Sequence, residues 1–179
     1  MDMETGPADG TLTLHTTVEG RAAKVGHALT IALGSWSAST TLDGSVPTAA
    51  RLRATLEGLS VVHGEGGVKG LSDKDKQTIR GNALESLKAT SHPDVTFTSD
   101  QVTAVGGGYD LTGQLTVAGV SRPMTVHVEA AETDGRLALS AVVPVVQSDH
   151  GVKPYSAMMG GLKVADRVEI RLAVTVARP

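Results

Sequence analysis

The sequence predicts an all-β chain, an antiparallel barrel of about eight strands with one helix packed against it. Three observations carry that expectation. In LTGQLTVAGVSRPMTVHV (Leu111 to Val128), Leu111, Gly113, Leu115 and Val117 fall on one side, and Thr112, Gln114 and Thr116 on the other. The run then turns through Ala118 to Pro123 and resumes with Met124, Val126 and Val128. Period-two alternation across a turn marked by Gly and Pro means a hairpin of half-buried strands. In Gln147 to Val174 a Gly-rich loop feeds a terminal strand with Val168, Ile170, Leu172, Val174 and Val176 inward, and Glu169, Arg171 and Thr175 outward. Only one segment has convincing helical periodicity instead.

In chain order, residues 1–9 are expected to be a disordered lead-in and residues 10–179 a single barrel domain. Thr11 to Val18 alternates Leu12, Leu14, Thr16 and Val18 against Thr13, His15 and Thr17. A long strand from Arg21 to Leu33 would place Ala23, Val25, His27, Leu29, Ile31 and Leu33 on one face. Trp36 to Leu42 follows, closed by the turn signal Asp43-Gly44. Arg51 to Glu57 and Leu59 to His63 read as strands, and HGEGGVKG (His63 to Gly70) as a flexible turn. It has no Lys-Ser/Thr at phosphate-loop spacing. Ser72-Asp73-Lys74-Asp75 has the form of a capping box, and Ile79, Ala83 and Leu87 recur at helical spacing, so a helix is expected over Asp73 to Lys88. Strands return at Val95 to Ser99, Gln101 to Val105, Tyr109 to Ala118, Met124 to Ala131, Arg136 to Val146 and Arg167 to Ala177. So many antiparallel strands call for closure, which removes aggregation-prone edges. About eight strands enclose either a filled core or room for one small ligand, and the small inward residues Ala23, Ala38, Ala54 and Gly113 favour the ligand.

Composition narrows the function classes. Aromatics make up 2% of the 179 residues (Trp36, Phe97, Tyr109 and Tyr155), so Val, Leu, Ala and Thr must line the interior. The formal net charge of −3 and the scarcity of stacking surfaces argue against a nucleic-acid partner. No cysteine is present, which removes disulfides, thiolate metal sites and thiol catalysis. No apolar run reaches membrane-spanning length. The start MDMETGPADG lacks the basic and apolar regions of a signal peptide, and the expectation is a cytoplasmic protein.

Four segments, VGHALTI (Val25 to Ile31) with Trp36 after it, SHPDVTFTSD (Ser91 to Asp100), LTGQLTVAGVSRPMTVHV and GVKPYSAMMGGLKVADRVEI, occur in an order that resembles the YceI-like family of lipocalin-like, polyisoprenoid-binding barrels. The resemblance covers nearly all of the chain beyond about residue 10, and the Gly-x-Leu-Thr…Ser-Arg-Pro run is its most specific part. The Gly-Glu-Gly-Gly segment before the helix looks like an actinobacterial-type branch. The resemblance implies an antiparallel lipocalin-like barrel with a helix laid against it, around an elongated tunnel for an isoprenoid or another long-chain lipid. Where that branch commonly has His-Asp, this chain has His27-Ala28. Where the family usually carries an aromatic before Gly in the C-terminal loop, this chain has His150-Gly151. Family members are often exported.

His27 shares inward parity with Leu29 and Ile31, so it is either a satisfied core residue or an anchor for a ligand headgroup. Asp149-His150 lies on a loop, as a polar rim or a functional mouth. His15, His63, His92 and His127 lack paired metal-ligand spacing, and His127 should face solvent. Tyr155, Met158 and Met159 form a Gly-flanked loop suited to a tunnel lip or a barrel plug. Trp36 and Phe97 serve as wall or core. Arg122 should fix the hairpin turn, and Asp166-Arg167 an ion pair at a strand start. The expected function is binding, carriage or sequestration of an apolar isoprenoid or lipid, with no metal and no cofactor. Its ligand-binding residues would be His27, Leu29, Ile31, Trp36, Phe97, His150, Tyr155, Met158 and Met159. The alternative is an isomerase, cyclase or dehydratase working in the same cavity with His27 or His150 as acid/base. A strand edge or the helix face is a candidate surface for a homodimer.

Overall fold

The computed structural model describes residues 1–178. The first strands are β1 (Asp2–Thr5), β2 (Gly10–Thr16), β3 (Val18–Glu19), β4 (His27–Leu33), β5 (Trp36–Asp43), β6 (Val46–Thr55) and β7 (Leu59–Gly66). Helix α1 (Asp73–Ser86) is followed by β8 (Asp94–Val105), β9 (Gly108–Val117), β10 (Val120–Thr133) and β11 (Arg136–Val146). Short strands β12 (Ser156–Ala157) and β13 (Leu162–Val164) precede the terminal β14 (Arg167–Ala177).

Eleven of these strands make one curled antiparallel sheet in the order β1-β5-β6-β8-β9-β10-β11-β14-β2-β4-β7, where about eight were expected. A separate sheet, β12-β13-β3, sits at one end. The lipocalin-like architecture holds, but the closure is not a continuous ladder. Among the described residues no pairing joins β1 to β7, the two edge strands. The gap is bridged at one corner, where Gly34 N–H donates to Gly58 O and Thr55 N–H to Ser35 O. Helix α1 covers the β7 side: Ile79, Ala83, Leu84 and Leu87 pack on the cluster that holds Leu56 and Leu59. Arg80 donates from Nε to Leu59 O at 2.7 Å and from Nη2 to Glu57 O at 2.6 Å. A helix laid on an edge strand with its carbonyls satisfied hides that edge as well as a further strand would.

Helix α1 starts where the sequence places it. Ser72 Oγ accepts the Asp75 N–H at 3.1 Å, and the Asp75 carboxylate accepts the Ser72 N–H at 2.9 Å. Two of the N–H groups that a helix start leaves without intrahelical partners are thereby satisfied. Its end comes at Ser86, two residues before the expected Lys88.

Four local expectations are corrected. The lead-in expected to be disordered contains β1, which pairs from Asp2↔Thr41 to Thr5↔Ala38, and the Met1 amino group donates to Leu42 O. Its alternation is too short to register in a sequence, and the free edge of β5 supplies the missing partner. The strand expected from Arg21 begins only at His27, because Ala23–Val25 coils into a 3-10 turn. The supposed loop at His63–Gly70 is partly the end of β7, which reaches Gly66 before Gly66 and Gly67 turn at positive φ. Val95–Ser99 and Gln101–Val105 are one strand, β8, interrupted by a bulge: Ser99 pairs with Gly113 and Gln101 with Thr112, so Asp100 is the extra residue.

The bulge depends on Gly113. A Cβ there would lie 2.0 Å from Thr98 O. Ser99, almost fully buried beside it, places its hydroxyl 2.8 Å from Thr112 O. Gly81 on α1 has open space around it instead. Gly113→Ala should therefore cost about 2–3 kcal/mol of stability through overpacking. Gly81→Ala should raise stability by about 0.5–1 kcal/mol by restricting the unfolded chain. Urea denaturation of both variants checks the opposite signs.

Candidate functional site

The inward parity of the strands leaves the barrel interior open as two chambers in series. The first, about 210 Å³, is lined by residues such as Phe97, Tyr109, Leu111, Val126, Leu139 and Leu172. The second, about 260 Å³, is lined by residues such as Leu14, Thr16, Leu29, Ile31, Val168 and His150. Leu33, Val95 and Ile170 border both and form the neck between them. Single strands pass from one chamber to the next. On β2, Leu12 faces the first, and Leu14 and Thr16 the second. On β11, Leu139, Ala141 and Val143 face the first, and Val145 the second, followed by Gln147 and His150. The long axis of the space thus follows the strands.

The lining is chiefly apolar, with polar groups such as Ser39, Thr40 and Arg51 bordering the first chamber and Thr16, His27, Gln147 and His150 bordering the second. His150 is only 2% exposed, which corrects its reading as a rim residue. The chain leaves β11 into a 3-10 turn, Gln147–His150, stopped by Gly151 at φ 66°. That turn swings the His150 ring inward, where its Nδ1–H donates to Val120 O at 2.9 Å. Arg122 helps to hold the turn by donating from Nε to Asp149 O at 2.7 Å, a longer reach than the hairpin role expected of it. Gln147 donates from Nε2 to Ala165 O at 3.0 Å. Asp166 accepts the Ser148 N–H at 2.8 Å and the Ser148 hydroxyl. It therefore clasps the turn, and the ion pair expected with Arg167 does not form, since the Ser148 donors sit nearer to its oxygens. The Ser148 hydroxyl, then the Ser148 N–H, hold the Asp166 carboxyl below the usual carboxylate range.

His27 lines the second chamber from β4, half-buried, and its Nε2–H donates to Lys69 O at 2.8 Å. Gly67 lies against the ring, since a Cβ there would meet Nε2 at 2.4 Å. Leu29, Ile31 and Tyr155 also line the second chamber and Phe97 the first, so six of the nine candidate residues border the interior. Trp36 does not: it is buried in the core cluster with Leu12, Leu33 and Leu56. Met158 and Met159 line neither chamber. They stand outside it, 59% and 99% exposed, on a turn where both have positive φ. A turn of that form projects its side chains outward, which is why they are not a lip. His127 faces solvent as expected and pairs with Asp110 at 2.7 Å. His27 and His150 border the same chamber without a hydrogen bond between them.

Residues missed from the sequence include Thr16, Gln147 and Asn82, all bordering the second chamber. Thr16 had a signal: it is a polar residue in the inward slot of β2 after Leu12 and Leu14. Gln147 had none, because its direction depends on the turn.

The family model for the YceI-like domain matches residues 8–176. A UPF0312 protein of Pectobacterium carotovorum is 31% identical over 116 residues, which cover 64% of this chain and 56% of that protein. A UPF0312 protein of Pseudomonas aeruginosa is 29% identical over the same shares. The chain thus spans a little over half the length of these curated relatives. Among solved structures, Burkholderia cenocepacia BcnA superposes with a TM-score of 0.71 at 18% identity, over 96% of this chain and 98% of that one. The Campylobacter jejuni YCEI protein superposes at 0.62 with 16% identity, over 82% of each chain. At these identities the likeness is one of fold. That fold is consistent with binding a hydrophobic ligand.

The Asp166 clasp has a pH signature. A carboxyl held below its ordinary value of about 3.9 stabilises the fold fully above that value. The contribution disappears as pH falls through the lowered folded value. Asp166→Asn should lower the melting temperature at pH 7, and the gap from the parent should narrow at pH 3. Thermal denaturation at both values reads it.

Proposed function

The chain belongs to the YceI-like family, and we propose that it binds and carries, or sequesters, a long apolar small molecule of isoprenoid or acyl type inside the barrel. One observation carries the reading: two apolar chambers lie in series along the strands and meet at a neck of Leu33, Val95 and Ile170. A flexible hydrocarbon chain fits such a space. Burial of apolar surface would drive binding at roughly 25 cal/mol per Å², less the cost of ordering the chain. Leu29, Ile31 and Phe97 supply wall, while His27, His150 and Tyr155 supply the few groups able to orient a head.

Catalysis in the same space fits the residues less well. Each histidine has one ring nitrogen committed to a backbone carbonyl, Lys69 O for His27 and Val120 O for His150. Neither chamber brings a carboxylate beside them among the described residues.

Native mass spectrometry of freshly purified protein, with solvent extraction of anything retained, tests the reading. A stoichiometric apolar adduct is expected. Protein that stays bare after incubation with isoprenoids and fatty acids would overturn it. Val95→Phe narrows the neck and should reduce affinity for chains longer than one chamber by roughly tenfold, about 1.4 kcal/mol. Ten-carbon ligands should bind as before. A titration series in chain length, read by quenching of the buried Trp36, measures the difference.

A further inference from the structure

We infer that the end of the barrel carrying Met158 and Met159 docks on an anionic lipid bilayer, with those two side chains in the apolar layer and flanking cations among the headgroups. The inference goes beyond the carrier reading and needs no bound ligand. Among the described residues nine large apolar side chains are exposed, and five of them, Val25, Val68, Tyr155, Met158 and Met159, gather at this end. Backbone contacts bring them together. Ala22 N–H donates to Gly161 O at 2.7 Å, so the 3-10 turn Ala23–Val25 lies beside the turn Met158–Gly160. Gly26 packs on Leu162, where a Cβ would meet Cδ1 at 2.5 Å, and Gly67, next to Val68, lies against the His27 ring. Tyr155 O accepts the Val164 N–H at 2.9 Å.

Single exposed apolar residues are ordinary, whereas a gathered patch with a polar rim marks a surface that meets something. The two methionines stand in succession at φ 52° and 55°, a backbone region that side chains seldom adopt, and the turn holds them away from the protein. Flexible thioethers adapt to irregular apolar surroundings such as acyl chains.

Charge selects the partner. Arg21, Lys24 and Lys153 are exposed and make no ion pair among the described residues. Arg21 lies against the methionine turn, with its Nε 3.2 Å from where a Cβ on Gly161 would sit. Lys24 precedes Val25, and Lys153 stands two residues before Tyr155. The carboxylates nearby are engaged: Glu19 with Lys163 at 3.8 Å, Glu65 with His63 at 3.6 Å, and Asp75 in the capping box. Asp149 belongs to the neighbouring turn that Arg122 holds. The whole chain has a net charge of −3, so these cations are a local feature and not a share of a basic surface. At the opposite end, exposed Val46 pairs with Asp43 and Met1 precedes Asp2, so apolar groups there stand beside carboxylates. Apolar side chains within a cationic rim complement acyl chains beneath anionic headgroups. Val25 and Tyr155 also border the second chamber. Docking therefore sets that chamber against the bilayer, and on the carrier reading an apolar molecule passes between them without crossing water.

The test is cosedimentation of the full chain with vesicles of phosphatidylcholine containing a quarter of phosphatidylglycerol, against vesicles of phosphatidylcholine alone. The mixed vesicles should bind about tenfold more tightly, and less so in high salt. Met158→Ser combined with Met159→Ser should weaken binding about tenfold, and Lys24→Gln about fivefold. None of these three side chains lines a chamber, and circular dichroism confirms that the variants fold. With brominated acyl chains, the fluorescence of Met159→Trp should be quenched and that of Val46→Trp should not. No vesicle binding, equal binding to both vesicles, methionine variants that bind like the parent, or quenching of Val46→Trp instead would each overturn docking. A dimer in ultracentrifugation that ignores vesicles would assign the patch to a protein interface and overturn it as well. Such failures with an apolar adduct still present in native mass spectrometry leave carriage standing, and docking by protein that stays bare sinks carriage alone.

Discussion

An eleven-stranded sheet curled on itself and lined chiefly by Val, Leu and Ala cannot fill the space it encloses. Large rings would be needed to plug it, and the chain has only four aromatic residues, of which Trp36 is spent in the core. Most other features follow from that shortfall. The interior remains as two chambers with a neck of Leu33, Val95 and Ile170, and its apolar lining makes it a poor place for water and a good one for hydrocarbon.

The same constraint explains how the sheet ends. A strand order running from β1 to β7 leaves two edges, and the space between them must be shut without shrinking the interior. The chain does this with backbone bonds at the Gly34–Gly58 corner and with α1, whose Arg80 satisfies carbonyls in the turn after β6 and at the start of β7. The acidic lead-in adds β1 at the opposite edge. Arg53 pairs with Asp94 outside the barrel and holds its carboxyl below the usual range, while Arg51, which borders the first chamber, is engaged with Asp100. The interior is left without charge at its far end, which sets the chemistry it can accept.

In the second chamber Gln147 and His150 stand where a strand gives way to a turn. Leaving β11, the backbone loses its ladder partners, and Ser148, Gln147 and Arg122 replace them with bonds to Asp166, Ala165 and Asp149. These bonds rigidify the turn that carries His150. The polar end is thus a product of the same hydrogen-bond demand that every strand terminus faces, directed inward by Gly151.

The amino-acid sequence by itself determined the all-β class, the 111–128 hairpin, the terminal strand, the capped helix and the inward parity of Leu29, Ile31, Phe97 and Thr16. Each is local: alternation, a capping box or a turn signal acts over a few residues. The bulge at Asp100, the pairing of Asp2–Thr5, the outward Met158 and Met159, and the burial of His150 were decided by tertiary structure. A bulge needs the strand opposite, an edge strand needs an edge, and a turn needs distant carbonyls and carboxylates to set its direction. Period-two patterning tells which side of a strand a residue takes, but not what happens once the strand ends. For that reason the walls of the cavity were legible in the sequence, and the polar end at His150, Gln147 and Thr16 was assembled only when residues far apart in the chain met.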